Sequence, residues 1–153
     1  MYKIVEYRKN YDNKVKAFLT AIFIDEFGFE ECRDYIQSEN INKEYKATGG
    51  NFWVALDKNR QVVGTIAGKV LDNHTLEVKR VYVKKEFRGN GISQKLYDIL
   101  EQFAVENGFE KLYLGTYEKM QRAINFYYKN NFIYDYSNTS TSNGEVFMTK
   151  NLC

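Results

Sequence analysis

The stretch Val81-Tyr82-Val83-Lys84-Lys85-Glu86-Phe87-Arg88-Gly89-Asn90-Gly91-Ile92-Ser93 constrains the fold more than any other part of the chain. Apolar residues end a strand, two glycines make a tight loop, and an amphipathic helix begins at once. A strand that feeds a helix this directly belongs to an α/β domain. Glycine reaches backbone geometries that side chains forbid, so successive N–H groups of such a loop can converge on one concavity. The unpaired amides of the helix's first turn add partial positive charge at the same place. The turn therefore suits a pyrophosphate, and Arg88 adds a full charge at its rim. Taken alone, a Gly-x-Gly pair is a plain strand–helix turn about as often as a phosphate site. No Gly-Lys-Ser/Thr follows, so it is not a Walker loop. The third glycine and the opening βαβ unit of a dinucleotide site are missing too.

The chain contains no proline, so element boundaries come from Gly, Asn, Asp and hydrophobic period. Residues 2–8 predict a short strand. Val15, Phe18, Leu19, Ile22 and Phe23 then recur at helical spacing as far as Gly28. A weaker helical stretch covers residues 30–39, and a polar segment, 40–51, follows it with a turn at Gly49-Gly50. Residues 52–56 and 62–71 predict a hairpin, and Asp72-Asn73-His74 turns the chain into another strand at Thr75–Val83. His74, the one histidine, reads as a solvated turn residue. Ile92, Leu96, Ile99, Leu100 and Phe103 define a helical face that Asn107-Gly108 stops. A strand at 111–116, a helix at 120–130 and closing strands at 132–136 and 145–152 complete the order β-α-α-β-β-β-α-β-α-β-β. This is an α/β arrangement with a mixed sheet, and residues 1–153 fit one domain.

Composition narrows the function classes. Lys plus Arg is 22 against 20 for Asp plus Glu, with no basic stripe, which argues against a nucleic-acid partner. No apolar stretch is long enough to span a bilayer and residues 1–8 hold no apolar signal core, so no membrane partner and a cytoplasmic location are expected. Cys32 and Cys153 make neither a disulfide framework nor a metal site.

Several segments together resemble the GNAT N-acetyltransferase superfamily. Arg88-Gly89-Asn90-Gly91-Ile92-Ser93 is similar to its Arg/Gln-x-x-Gly-x-Gly/Ala loop, and residues 76–83 look like the strand before it. Ala123-Ile124-Asn125-Phe126-Tyr127-Tyr128-Lys129-Asn130-Asn131-Phe132 is similar to the family's Ala-x-x-Phe-Tyr-x-Lys-x-Gly-Phe block. Residues 50–55, 63–65 and 146–152 fit its second, third and last strands. The resemblance implies a single-domain GNAT-like acyltransferase fold, with a mixed, mostly antiparallel sheet flanked by helices. Three positions depart from the pattern: Ser93 replaces a small apolar residue, Asn131 a glycine, and Met120 an asparagine that many members carry.

That resemblance also implies acetyl-CoA as co-substrate and no metal. The backbone around Tyr82, at Val81 and Val83, would pair with the pantetheine arm like an added strand. The amides of Gly89, Asn90, Gly91, Ile92 and Ser93, with Arg88, would hold the pyrophosphate. The implied chemistry is direct attack of a neutral primary amine on the thioester. It needs a proton removed from the ammonium, a polarised carbonyl and a protonated thiolate. A backbone N–H near Val83 is the expected oxyanion donor. Tyr127 is the candidate acid and cofactor contact, with Tyr128 beside it; the other reading is a core aromatic whose hydroxyl is already bonded. Glu77 is the candidate base through water, placed by simple alternation on the face of Val81 and Val83; its other reading is a strand residue paired with a lysine such as Lys79. Asp25, Glu26, Glu30 and Glu31 would border the acceptor groove. The expected acceptor is a small-molecule or peptide amine, a homodimer through edge strands is open, and the competing function is a CoA-binding sensor or scaffold without turnover.

Overall fold

The computed structural model describes residues 1–137 and 144–152. The chain runs β1 (Tyr2–Glu6), α1 (Asp12–Thr20), α2 (Arg33–Ser38), β2 (Asn51–Asp57), β3 (Val62–Val70), β4 (Thr75–Val83), α3 (Ile92–Glu106), β5 (Lys111–Tyr117), α4 (Gln121–Lys129), β6 (Ile133–Tyr134) and β7 (Glu145–Asn151). One sheet takes the order β1-β2-β3-β4-β5-β7-β6, and every contact is antiparallel except β4–β5. The expected mixed, mostly antiparallel sheet flanked by helices is therefore the observed one.

Strand alternation divides the core into two layers. Trp53 and Ala55 of β2 join Ile92, Leu96 and Leu100 of α3 and Ile124 of α4 on one face. Phe52, Val54 and Leu56 join Val15, Phe18 and Leu19 of α1 and Ile36 of α2 on the other. Trp53 meets Phe103 of α3 edge-on at 5.3 Å, and Phe52 meets Tyr45 at 5.5 Å. Ile92, Leu96, Leu100 and Ala104 recur at four-residue spacing and are fully buried, which is why α3 lies flat on the sheet.

Two segments differ from the sequence reading. Within 40–51, Ile41 and Tyr45 lie one turn apart, each 1% exposed, and residues Asn42–Lys46 form a π-helical turn. The expected strand over 132–136 is reduced to Ile133–Tyr134, and most of the polar loop after it, 138–143, lies outside the described residues, as does Cys153. Asn131 takes φ 73, so it does adopt the left-handed geometry of the glycine it replaces. His74 is exposed and pairs with Glu110 at 3.0 Å. Among the described residues, no helix is long and apolar enough to cross a membrane.

Burial also sets how stability responds to alkali. The phenols of Tyr7, Tyr45 and Tyr97 are raised above their ordinary range by burial first; Asp12 and Glu101 add to the shift at Tyr7 and Tyr97, while at Tyr45 Arg80 opposes it and Glu39 adds to it. Their folded pKa values lie above the unfolded value near 10, so above that pH the unfolded chain has lost protons that the folded chain keeps. Stability is therefore full below about pH 10 and falls as pH rises beyond it. Urea midpoints at pH 8, 9, 10 and 11 check this: a flat start and then a fall are expected, with a shallower fall in Tyr97→Phe.

Candidate active site

β4 and β5 pair in register at only three positions, Thr75↔Lys111, Leu76↔Leu112 and Glu77↔Tyr113. Both strands continue, to Val83 and Tyr117, so their facing edges diverge into a slit. A bulge in β4 shapes one wall. Thr65 pairs with Tyr82 and Ala67 with Lys79, so a single residue of β3, Ile66, faces both Arg80 and Val81. Arg80 accordingly takes φ 58. The Lys84 N–H donates to the Val63 carbonyl at 2.8 Å, so antiparallel alternation turns Val83's own N–H and C=O away from β3 and into the slit. The slit opens a cleft of about 730 Å³.

At one end of this cleft stands the glycine loop. Gly89 and Gly91 take φ 83 and φ 78, and a Cβ at either would meet nothing within 4 Å. Backbone geometry, not crowding, therefore calls for glycine there. Gly91 is the N-cap of α3 and supplies no side-chain cap, and the first intrahelical bond runs from the Lys95 N–H to the Gly91 carbonyl. The preceding amides, including those of Ile92 and Ser93, thus keep their donors for an anion. Arg88 is held from two sides: its Nε donates to the Val83 carbonyl at 3.0 Å, and its Nη2 pairs with Glu26 at 2.7 Å.

Of the residues singled out from sequence, Val81, Tyr82, Val83 and Arg88 line the cleft, as do Gly89, Gly91, Ile92, Ser93 and Tyr127. Asn90 does not; it sits exposed on the loop's crest and its side-chain amide donates to the Phe87 carbonyl. Tyr127 comes from α4 on one face of the sheet and Tyr82 packs with the core on the other, yet both reach the slit. Burial raises the Tyr82 phenol to about 12. Burial and then the proximity of Tyr82 raise Tyr127 further. Among the described residues, the Tyr127 hydroxyl takes no hydrogen-bond partner. Tyr128 points away: it is 46% exposed and stands edge-on to Tyr134 at 5.3 Å.

Glu77 requires a correction. It does not share the face of Val81 and Val83, because the extra residue at the Arg80 bulge reverses the alternation between them. Leu76 and Val78 point to the α3 side, so Glu77 lies on the opposite face, half-buried, at the apex where β4 and β5 begin to separate. It does not line the cleft wall. Its β5 partner Tyr113 and, two pleats on, Tyr117 share that face. A second cavity of about 360 Å³ opens there, lined by Phe29, Glu31, Cys32, Tyr117, Glu118 and Lys119, and it joins the cleft through Phe29, Tyr117 and Lys119. Of the acidic residues expected near the acceptor groove, Glu31 lines this cavity and Glu26 faces Arg88. Sequence reasoning missed Arg80 and Tyr117, which carry no motif.

Comparisons with known proteins agree with this geometry. The sequence model of the acetyltransferase (GNAT) family matches residues 11–132. N-acetyltransferase family 8 member 2 of Rattus norvegicus is 30% identical over 124 residues, 74% of this chain and 54% of that protein. N-acetylaspartate synthetase of Danio rerio is 36% identical over 88 residues, 56% of this chain and 31% of that protein. The chain thus spans about half, or less, of the length of these relatives. The crystal structure of an acetyltransferase of the GNAT family from Staphylococcus aureus Mu50 superposes with a TM-score of 0.88 at 29% identity, covering 100% of both chains. A family match over most of the chain, together with the splayed β4–β5 pair and the glycine loop, leads to one conclusion: this chain belongs to the acetyltransferase (GNAT) family.

Proposed function

We propose that the chain, as a single domain over residues 1–153, transfers an acetyl group from acetyl-CoA to a primary amine by direct attack. The observation that carries this reading is the slit itself: a Val83 N–H turned away from β3, an uncapped helix terminus with two left-handed glycines, and a Tyr127 phenol with no hydrogen-bond partner among the described residues converge on one cleft. These features fit a thioester on a long phosphorylated arm. The amides at Gly89, Gly91, Ile92 and Ser93 would take the pyrophosphate, with Arg88 exchanging Glu26 for it. The slit-facing backbone of Val81 and Val83 would bind the arm as an added strand, and an N–H there would stabilise the oxyanion.

The amine nitrogen forms a bond to the carbonyl carbon and the C–S bond breaks. One proton leaves the nitrogen and one reaches the sulfur. Tyr127 would give the second proton, since it lines the cleft with a hydroxyl that no described residue engages. Glu77, on the acceptor face at the slit's apex, is our candidate to receive the first through water. The smaller cavity beside Tyr117 would seat the acceptor. One relative is named for N-acetylaspartate, which puts amino acids in the first acceptor panel.

The test is thiol release from acetyl-CoA with amino acids, polyamines, aminoglycosides and short peptides, together with calorimetric CoA binding. Amine-dependent release that drops in Glu77→Gln supports the reading. Tight CoA binding with no release for any amine favours a sensor or scaffold, and no CoA binding rejects the site.

A further inference from the structure

The β4 bulge is held by side chains that take no part in the acyl-transfer steps above, although Arg80 itself lines the cleft. Arg80 carries a Cβ, so its φ of 58 is unfavourable in itself and persists only where its surroundings hold it. Its carbonyl is met by the Thr65 hydroxyl at 2.6 Å, and Thr65 is 0% exposed. Its guanidinium pairs with Glu39 at 3.0 Å, the two side chains being 10% and 2% exposed. The same Glu39 oxygen accepts from the Tyr35 hydroxyl at 3.2 Å and the Tyr45 hydroxyl at 3.1 Å. The guanidinium also lies against the Phe23 ring, at 5.8 Å, and the Tyr35 ring, at 5.5 Å.

Removing the bulge would shift the end of β4 by one residue. A shift of one exchanges the two faces of a strand and the two directions of its backbone groups. Val83's amide would then turn toward β3, and Tyr82 would leave its face of the slit. We infer that Thr65, Glu39 and Arg80 are positioning residues, a buttress that fixes the β4 bulge and so aims the slit-facing backbone for acyl transfer. The buttress ties α2, through Tyr35, and the π-helical turn, through Tyr45, to the wall of the cleft. It rests on the acyltransferase reading for its effect on rate, but not for its effect on β4.

Thr65→Val keeps the side chain's shape and removes the hydroxyl, and Thr65→Ser keeps the hydroxyl. A misplaced reacting group can cost about 10²-fold in rate, so Thr65→Val should lower kcat by about 10–10²-fold. Its Kd for CoA should rise as well, because the arm would pair with the same Val81 and Val83 backbone and Arg88 is held by the Val83 carbonyl, whereas Thr65→Ser should recover most of both kcat and affinity. A lost buried hydrogen bond should speed hydrogen exchange of the Tyr82 and Lys84 amides by about tenfold or more, while α3 amides stay protected. If Thr65→Val does not fold, Glu39→Gln carries the same readouts. Wild-type exchange at Tyr82 and Lys84 in the variants overturns the inference, as does a Thr65→Ser loss equal to that of Thr65→Val. Should wild type release no thiol with any amine, the acyltransferase reading fails, and the exchange data still decide the buttress.

Discussion

Tyr127→Phe should lower kcat by about 10²–10⁴-fold, the range a positioned proton donor contributes, with little change in CoA affinity. The hydroxyl is the one atom lost. The ring stays packed between Phe126 at 5.7 Å and Phe132 at 5.6 Å, so the melting temperature should stay near that of wild type. Burial first, and then Tyr82, hold the Tyr127 pKa above its ordinary value near 10. The phenol is thus protonated throughout the neutral and mildly alkaline range, on the correct side for an acid. The pH–rate profile of the variant should therefore keep the wild-type shape at reduced height. Tyr128→Phe is the control: exposed and turned toward Tyr134, it should retain wild-type kcat. Full activity in Tyr127→Phe would assign the thiolate's proton to solvent and remove Tyr127 from the chemistry.

The two halves of the site differ in how well the sequence announced them. Donors at Gly91, Ile92 and Ser93 are backbone groups whose presence follows from two glycines and a helix start, and these are local patterns. The position of Glu77 depends on counting pleats back from Val83, and the count fails because one residue is added at Arg80. Nothing in Leu76-Glu77-Val78-Lys79-Arg80-Val81-Tyr82-Val83 marks a bulge: a left-handed residue is commonly Gly, Asn or Asp, and here it is an arginine held by distant partners. The Arg88–Glu26 and Arg80–Glu39 pairs join separate elements and leave no periodic trace. Tyr127 was preferred over Tyr128 because helical spacing sets it beside Ala123 and Ile124, and Ile124 and Tyr127 are the buried residues of α4.

The fold was legible wherever apolar residues repeat over several turns or pleats, as in α3 and β2–β4. It was not legible at 40–51, where only Ile41 and Tyr45 have buried apolar side chains and anchor a turn among exposed or polar neighbours. Both buried side chains are spent on tertiary contacts, Tyr45 on Phe52 and Glu39, so one pair at four-residue spacing had to stand for a helix signal. The glycines after it look like one feature and are two. Gly49 takes φ 104 and makes the turn, but Gly50 does not have a positive φ.

Gly50 is needed for a different reason, and Gly50→Ala should be the most destabilising single methyl addition among these glycines. A Cβ there would fall inside the contact radius of the Gly68 carbonyl oxygen, 3.0 Å from the Gly68 carbon and 3.1 Å from the Tyr45 carbonyl oxygen. All three atoms are backbone, so no rotamer change relieves the clash; β3 or the π-helical turn must move. Moving either disturbs the Gly50 N–H bond to the Tyr45 carbonyl at 2.8 Å and the Asn51↔Gly68 pair that starts the β2–β3 ladder. Overpacking against immovable backbone should cost about 3–5 kcal/mol. For a chain of this size that is a fall in Tm of about 6–20 °C. Gly108→Ala separates crowding from conformation: its Cβ meets open space, and φ 80 alone should cost about 1–2 kcal/mol. Thermal melts of the two variants in parallel decide the matter. Equal losses would mean that the approach of Gly50 to Gly68 is loose enough to accept a side chain, and that the sheet and the turn over it are not packed against each other as closely as the structure shows.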